Sequence, residues 1–152
     1  MHAMTTRAKP SLAFWLIAGL LFLWALGGVS IYAALAFEGA ARFARTAETA
    51  ENAEAYAAYV SAIPPWALGL AIAAAGARFA GAVALLLRRA WALPLFAISA
   101  LLFIATLVRG FVFSNAASVM NAAHIAVEGV FLALSLFAIW FSADAKARGI
   151  LA

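Results

Sequence analysis

Three ionisable side chains stand inside long apolar runs: Arg78, Arg109 and Glu128. Close to them, His124 precedes Glu128 by one helical turn, and Asn121 lies one turn before His124. A charged group at membrane depth costs several kcal/mol unless it meets a partner or water, so each is a functional candidate by default. Two kinds of chemistry fit the set. Asn121, His124, Glu128 and Arg109 can line a polar cavity for an anion, a small polar solute or a proton relay. Alternatively, an Arg109–Glu128 ion pair is an internal staple between two helices. A lone carboxylate without a second acidic site makes a poor proton pathway, which favours the staple.

Catalytic and metal chemistry find little to build on. The chain has no cysteine, and its two histidines, His2 and His124, are too far apart for a metal motif. There is no phosphate loop, nucleophile elbow, Rossmann glycine run or carboxylate pair. The expectation is therefore a non-enzymatic protein with no cofactor and no metal.

The elements that must position these residues follow from composition. Of 152 residues, 68% are hydrophobic and 11% charged, with a mean hydropathy of +1.05. Soluble domains are about half apolar and about a quarter charged. A soluble domain, a disordered tail and a nucleic-acid-binding module are all excluded, despite the formal charge of +4. An all-α integral membrane protein of one domain remains, with the lipid bilayer as its first partner.

Four stretches are long enough to cross the hydrocarbon core: residues 12–37, 66–87, 91–113 and 122–141. The first follows Arg7 and Lys9, and Ala34-Leu35-Ala36 resembles a small-residue cleavage site, as in a signal peptide. The run is far longer than a signal peptide's apolar core, so it is read as a span. Residues 38–65 form a polar, alanine-rich connection, predicted to be largely helical. Phe43, Ala47, Ala50, Tyr56, Tyr59 and Ile63 would make its apolar side, and Pro64-Pro65 ends it and opens the next helix. Pro94 is placed in the first turn of span three, and the hydroxyls of Ser99 and Ser135 are expected to bond carbonyls of their own helices.

Basic residues set the threading. Arg7 and Lys9, Arg88 and Arg89, and Lys146 and Arg148 all fall on one side of a four-span chain. The positive-inside rule makes that side the cytoplasm, with both termini on it and residues 38–65 outside. Trp15, Trp66, Trp91 and Trp140 sit near span ends, where indole rings favour the interface, whereas Trp24 is deeper and reads as a packing residue.

Depth arithmetic then brings residues together. Arg109 lies five residues before Ser114, about 7 Å below the membrane boundary, and Glu128 seven after Asn121, about 10 Å below it. Helical side chains tilt toward their own N-terminus, so the two approach each other across antiparallel neighbours. Arg78 is deeper, near mid-membrane. It would share Glu128, bond a backbone carbonyl or face a partner protein. Ala73, Ala77 and Gly81 form a small-xxx-small ridge beside it, suited to packing within the bundle or against another subunit.

The sequence resembles a family of small four-helix bacterial inner-membrane proteins, some of them labelled sugar transporters. The likeness is carried by Lys9-Pro10-Ser11 with Phe14-Trp15, by Pro65-Trp66, and by the run from Leu85 through Arg88-Arg89-Ala90-Trp91 to Pro94 and Phe96. Trp140-Phe141-Ser142 with Lys146, Arg148, Gly149 and Leu151 completes it. The resemblance implies four helices with both ends cytoplasmic. It implies no catalytic residues, and Arg78 and Glu128 depart from the family's mostly apolar pattern there. The leading functional expectation is an accessory or structural subunit, packing as a homo-oligomer or in a larger membrane complex. The alternative is a small-solute, sugar-like transporter, oligomeric because one four-helix bundle encloses little space.

Overall fold

The structure, a computed structural model, describes residues 8–39 and 52–152. Among them are five α-helices and no strand: α1 Leu12–Glu38, α2 Ala53–Ser61, α3 Pro65–Leu86, α4 Ala92–Val108 and α5 Ala122–Ala147. A π-helical turn, Arg109–Phe113, prolongs α4, and a short 3-10 turn, Ala116–Ser118, leads toward α5. Helices α1, α3, α4 with its π-turn, and α5 are each long and apolar enough to cross a membrane. The protein is a multi-pass membrane protein built as a four-helix bundle. Phe43, Ala47, Ala50 and the charged residues around them lie outside the described residues.

Local chemistry explains where the helices begin and end. Ser11 caps α1 by accepting a bond from the Phe14 N–H (3.2 Å), and Asn121 caps α5 by accepting one from His124 N–H (2.8 Å). Pro64 precedes α3 and Pro65 opens it, where a missing N–H leaves no bond unmade. Pro94 stands in the first turn of α4. The last span continues to Ala147, beyond the expected end at 141. Ala143, Ala145 and Ala147 favour helix, and Asp144 pairs with Arg148 one turn on. Gly149 then stops it at φ 69°, with Ile150 N–H reaching Ala145 O (2.9 Å) and Gly149 N–H reaching Lys146 O (3.0 Å).

Ala8, the segment Gly149–Ala152 and the α3–α4 turn gather at one end of the bundle. Arg88 adopts φ 55°, a conformation unfavourable for a side-chain-bearing residue. Its guanidinium donates to Ile150 O (3.2 Å) and Ala8 O (2.7 Å), while its carbonyl accepts from Ala152 N–H (3.0 Å). These bonds hold the strained turn in place.

The bundle is solid at this terminal end. Phe14, Ala18, Leu21 and Ala25 of α1 meet Ala82 and Leu85 of α3, Phe96 of α4, and Ala138, Phe141 and Ala145 of α5. Gly81 belongs to this packing. A Cβ there would come within 3.2 Å of Phe96 and 3.3 Å of Leu95, so glycine permits the close approach of α3 and α4. Ser99 does not bond its own helix, as was expected of it. Its hydroxyl crosses to Ala74 O (2.7 Å) because α3 and α4 lie so close, whereas Ser135 does bond Phe131 O one turn back (2.8 Å). Outward faces are apolar: Leu16, Leu20, Leu101, Val112 and Trp140 are all exposed, as lipid contact requires.

Candidate functional site

Toward the other end, the loop end, the spans stop filling the space between them. A cavity of about 320 Å³ lies there among α1, α3, α4 and α5. Helix α2 folds over it. Tyr56 and Ala57 are buried, with Tyr59, Val60, Val119 and Met120 packed around them. The loop helix thus partly covers a space larger than the sequence implies for a single bundle.

Arg78 forms the inner part of the wall. It is only 4% exposed. Its guanidinium carbon stands 4.5 Å from the Trp24 ring centroid, 5.3 Å from Phe103 and 5.4 Å from Phe131, all within cation–π range. On the α1 side, Gly28 makes room: a Cβ there would stand 3.4 Å from Nη1. The Arg78 Nε is buried with no hydrogen-bond partner. Among the described residues, no carboxylate stands at ion-pair distance from it. Tyr32 and Glu128 are its electrostatic neighbours.

Of the three placements open to Arg78, the structure shows neither a bond to Glu128 or a carbonyl among the described residues nor an outward face toward a partner. The aromatic faces of three helices draw the cation inward, where a guanidinium loses less than it would against lipid. The ridge beside it divides as well. Ala73 is exposed and Ala77 half-buried, but Gly81 is buried against α4. The three do not form one outward surface.

The anticipated Arg109–Glu128 ion pair does not form. Arg109 stands where α4 passes into the π-turn and keeps α-helical backbone angles (φ −57°, ψ −47°). Its guanidinium lies over Tyr59 of α2, 5.7 Å from the ring centroid. Gly110 permits that approach, since a Cβ there would meet the Tyr59 hydroxyl at 3.2 Å. Burial pushes the Tyr59 phenol above its ordinary value of 10.0, while the Arg109 charge pulls the other way. Glu128 instead meets His124, with Nε2 to Oε1 at 3.9 Å. His124 Nε2 is in turn 3.4 Å from the Tyr56 hydroxyl, with the two rings edge to face. Asn121 does not line the cavity. It is the cap of α5, held there by its bond to the His124 backbone.

His124, Glu128, Arg109 and Arg78 therefore all border one cavity, though not through the pairing the depth arithmetic implied. Sequence reasoning missed the α1 contribution. Trp24, Gly28 and Tyr32 recur every four residues, so one face of α1 carries an aromatic ring, a gap and a phenol. That spacing was the available signal. Chemically, the arrangement offers apolar walls, an unpaired guanidinium and a few hydroxyls. Compared with protein-family models, curated proteins and solved structures, the chain matches none.

Proposed function

We propose that the protein is a small-solute carrier of the bacterial inner membrane and catalyses no reaction. One observation supports this reading above the others: the cavity of about 320 Å³ that has a buried, unpaired guanidinium in its wall. Ligand sites are concave and mostly apolar, with a few placed polar groups. Ionisable residues at membrane depth mark solute paths. In this reading the gathered termini and the Arg88-Arg89 turn face the cytoplasm by the positive-inside rule, and the cavity belongs to the outer half. A sugar-like solute is the class that the resemblance read from the sequence would imply. The aliphatic wall of Leu35, Ile63, Leu68 and Val127, however, suits an apolar body better than a sugar.

Uptake into proteoliposomes tests it, using a panel of small organic acids, alcohols and sugars. Ala71 lines the cavity and is only half-buried, so Ala71→Trp fills the space without entering the solid core. Uptake of at least one solute by the wild type, reduced tenfold or more in a folded Ala71→Trp protein, is the expected result. Equal uptake by both proteins, or by neither, refutes the reading.

The accessory-subunit reading retains one supporting feature. Gly69, Ala73, Gly76 and Ala80 are exposed on one face of α3, and a Cβ at Gly69 or Gly76 would meet nothing within 4 Å. Such a side-chain-poor stripe suits contact with a second helix. Native mass spectrometry of gently extracted protein distinguishes a homo-oligomer or larger complex from a monomer.

A further inference from the structure

We infer that the solute is a small organic monocarboxylate with an apolar body, and that Arg78 receives its carboxylate. The inference rests on the carrier reading above and specifies its ligand. The guanidinium offers five N–H donors in a planar fork. Aromatic faces attract its charge but do not satisfy in-plane N–H groups, and Nε has no hydrogen-bond partner. The group that completes a guanidinium fork is a planar, two-oxygen acceptor.

Among the described residues, none stands in place as that acceptor. Glu128 is the one carboxylate bordering the cavity among the described residues, and it is turned to His124 at 3.9 Å. The wall near Arg78 is Phe103, Phe131, the bare backbone of Gly28 and the phenol of Tyr32, a single-oxygen group that is not the two-oxygen acceptor a guanidinium fork takes, while Trp24 stacks on the guanidinium from behind the cavity. Arg109 adds a second positive charge beside Tyr59 and so favours an anion approaching from the loop end. A second anionic group on the ligand would stand against Glu128, which restricts the class to monoanions.

Volume limits the body. About 320 Å³ is roughly twice the 150 Å³ cavity that takes one benzene. One or two fused rings, or a short aliphatic chain, fill it, whereas a long acyl chain would extend out through its opening.

Calorimetric titration of the full chain in phosphatidylcholine nanodiscs tests the inference, with benzoate, 2-naphthoate, 2-naphthol and palmitate as probes. The expected result is 2-naphthoate binding at least tenfold tighter than 2-naphthol. Arg78→Gln abolishes that preference, and Arg78→Lys, which keeps the charge but not the fork, retains part of it. Melting curves of both variants establish that they are folded. Equal affinity for acid and alcohol, or unchanged acid binding in a folded Arg78→Gln protein, overturns the carboxylate assignment and leaves the carrier reading standing. Palmitate binding tighter than 2-naphthoate overturns the small-body assignment and identifies a membrane fatty acid. If no probe binds and wild type and Ala71→Trp take up the solute panel equally, both the inference and the carrier reading fall.

Discussion

Arg78→Met separates a functional guanidinium from a structural one. A guanidinium near the middle of a membrane helix disfavours insertion by about 2.5–3.5 kcal/mol. Against this stand three aromatic rings at 4.5, 5.3 and 5.4 Å. A desolvated cation–π contact is worth about 2 kcal/mol, and the second and third rings share the same cation, so the total is about 2–3 kcal/mol. The two sums nearly cancel. Methionine removes both and replaces them with sulfur–aromatic contacts of about 0.3–1.5 kcal/mol. The variant should therefore be as stable as the wild type or more stable by up to about 3 kcal/mol. At about 2–4 °C per kcal/mol for a chain of this size, Tm should rise by between zero and about 12 °C. Thermal melts followed by helical circular dichroism in one detergent measure this. A fall in Tm of more than about 6 °C would refute the reasoning. It would mean that the cation holds Trp24, Phe103 and Phe131 together as a staple. A stable variant that no longer binds 2-naphthoate is the pattern of a residue kept for function rather than stability.

Other expectations follow from single contacts. Gly81→Leu should destabilise by about 1–3 kcal/mol, because its side chain enters space held by Phe96 and Leu95, whereas Gly76→Ala should be neutral or slightly stabilising; paired melts compare them. Ser99→Ala removes the α4-to-α3 bond to Ala74 and should cost about 0.6 kcal/mol, the average for such bonds in membrane proteins, as read by reversible denaturant titration. Arg88→Ala releases the carbonyls of Ile150 and Ala8, so hydrogen exchange at the Ala90 and Ala152 amides should accelerate while the α1 core stays protected. The Tyr59 phenol should ionise above 10.0 in an ultraviolet titration, and Arg109→Gln should raise it further. Because its folded value is raised, stability from the un-ionised phenol is present below pH 10 and is lost as pH rises through that value.

Much of the architecture is legible in the amino-acid sequence because the bilayer leaves so few solutions. Long apolar runs must be helices, since lipid offers no partners to backbone groups, and four runs with proline and polar punctuation make four spans. Capping signals are equally local, so Ser11, Pro65 and Asn121 announce helix starts that need no distant contact. The end of α5 was less legible. A fall in hydropathy marks where lipid contact ends, not where helical bonding ends, and alanines carry the helix on to Ala147.

The site was determined only by tertiary structure. Sequence identifies Arg78, Arg109, His124 and Glu128 as polar groups in apolar surroundings, and residue rise gives each an approximate depth. It does not give rotation about the helix axis, and rotation decides which groups meet. Arg109 lies over Tyr59 of the loop helix rather than against Glu128. Gly28 and the rings of Trp24, Phe103 and Phe131 turned Arg78 inward rather than toward a partner. The cavity itself has no sequence signature, because an empty space is the absence of contact among helices far apart in the chain. Types and depths follow from local chemistry and the membrane's thickness, whereas pairings and the cavity follow from how the helices are rotated and how closely glycine lets them approach.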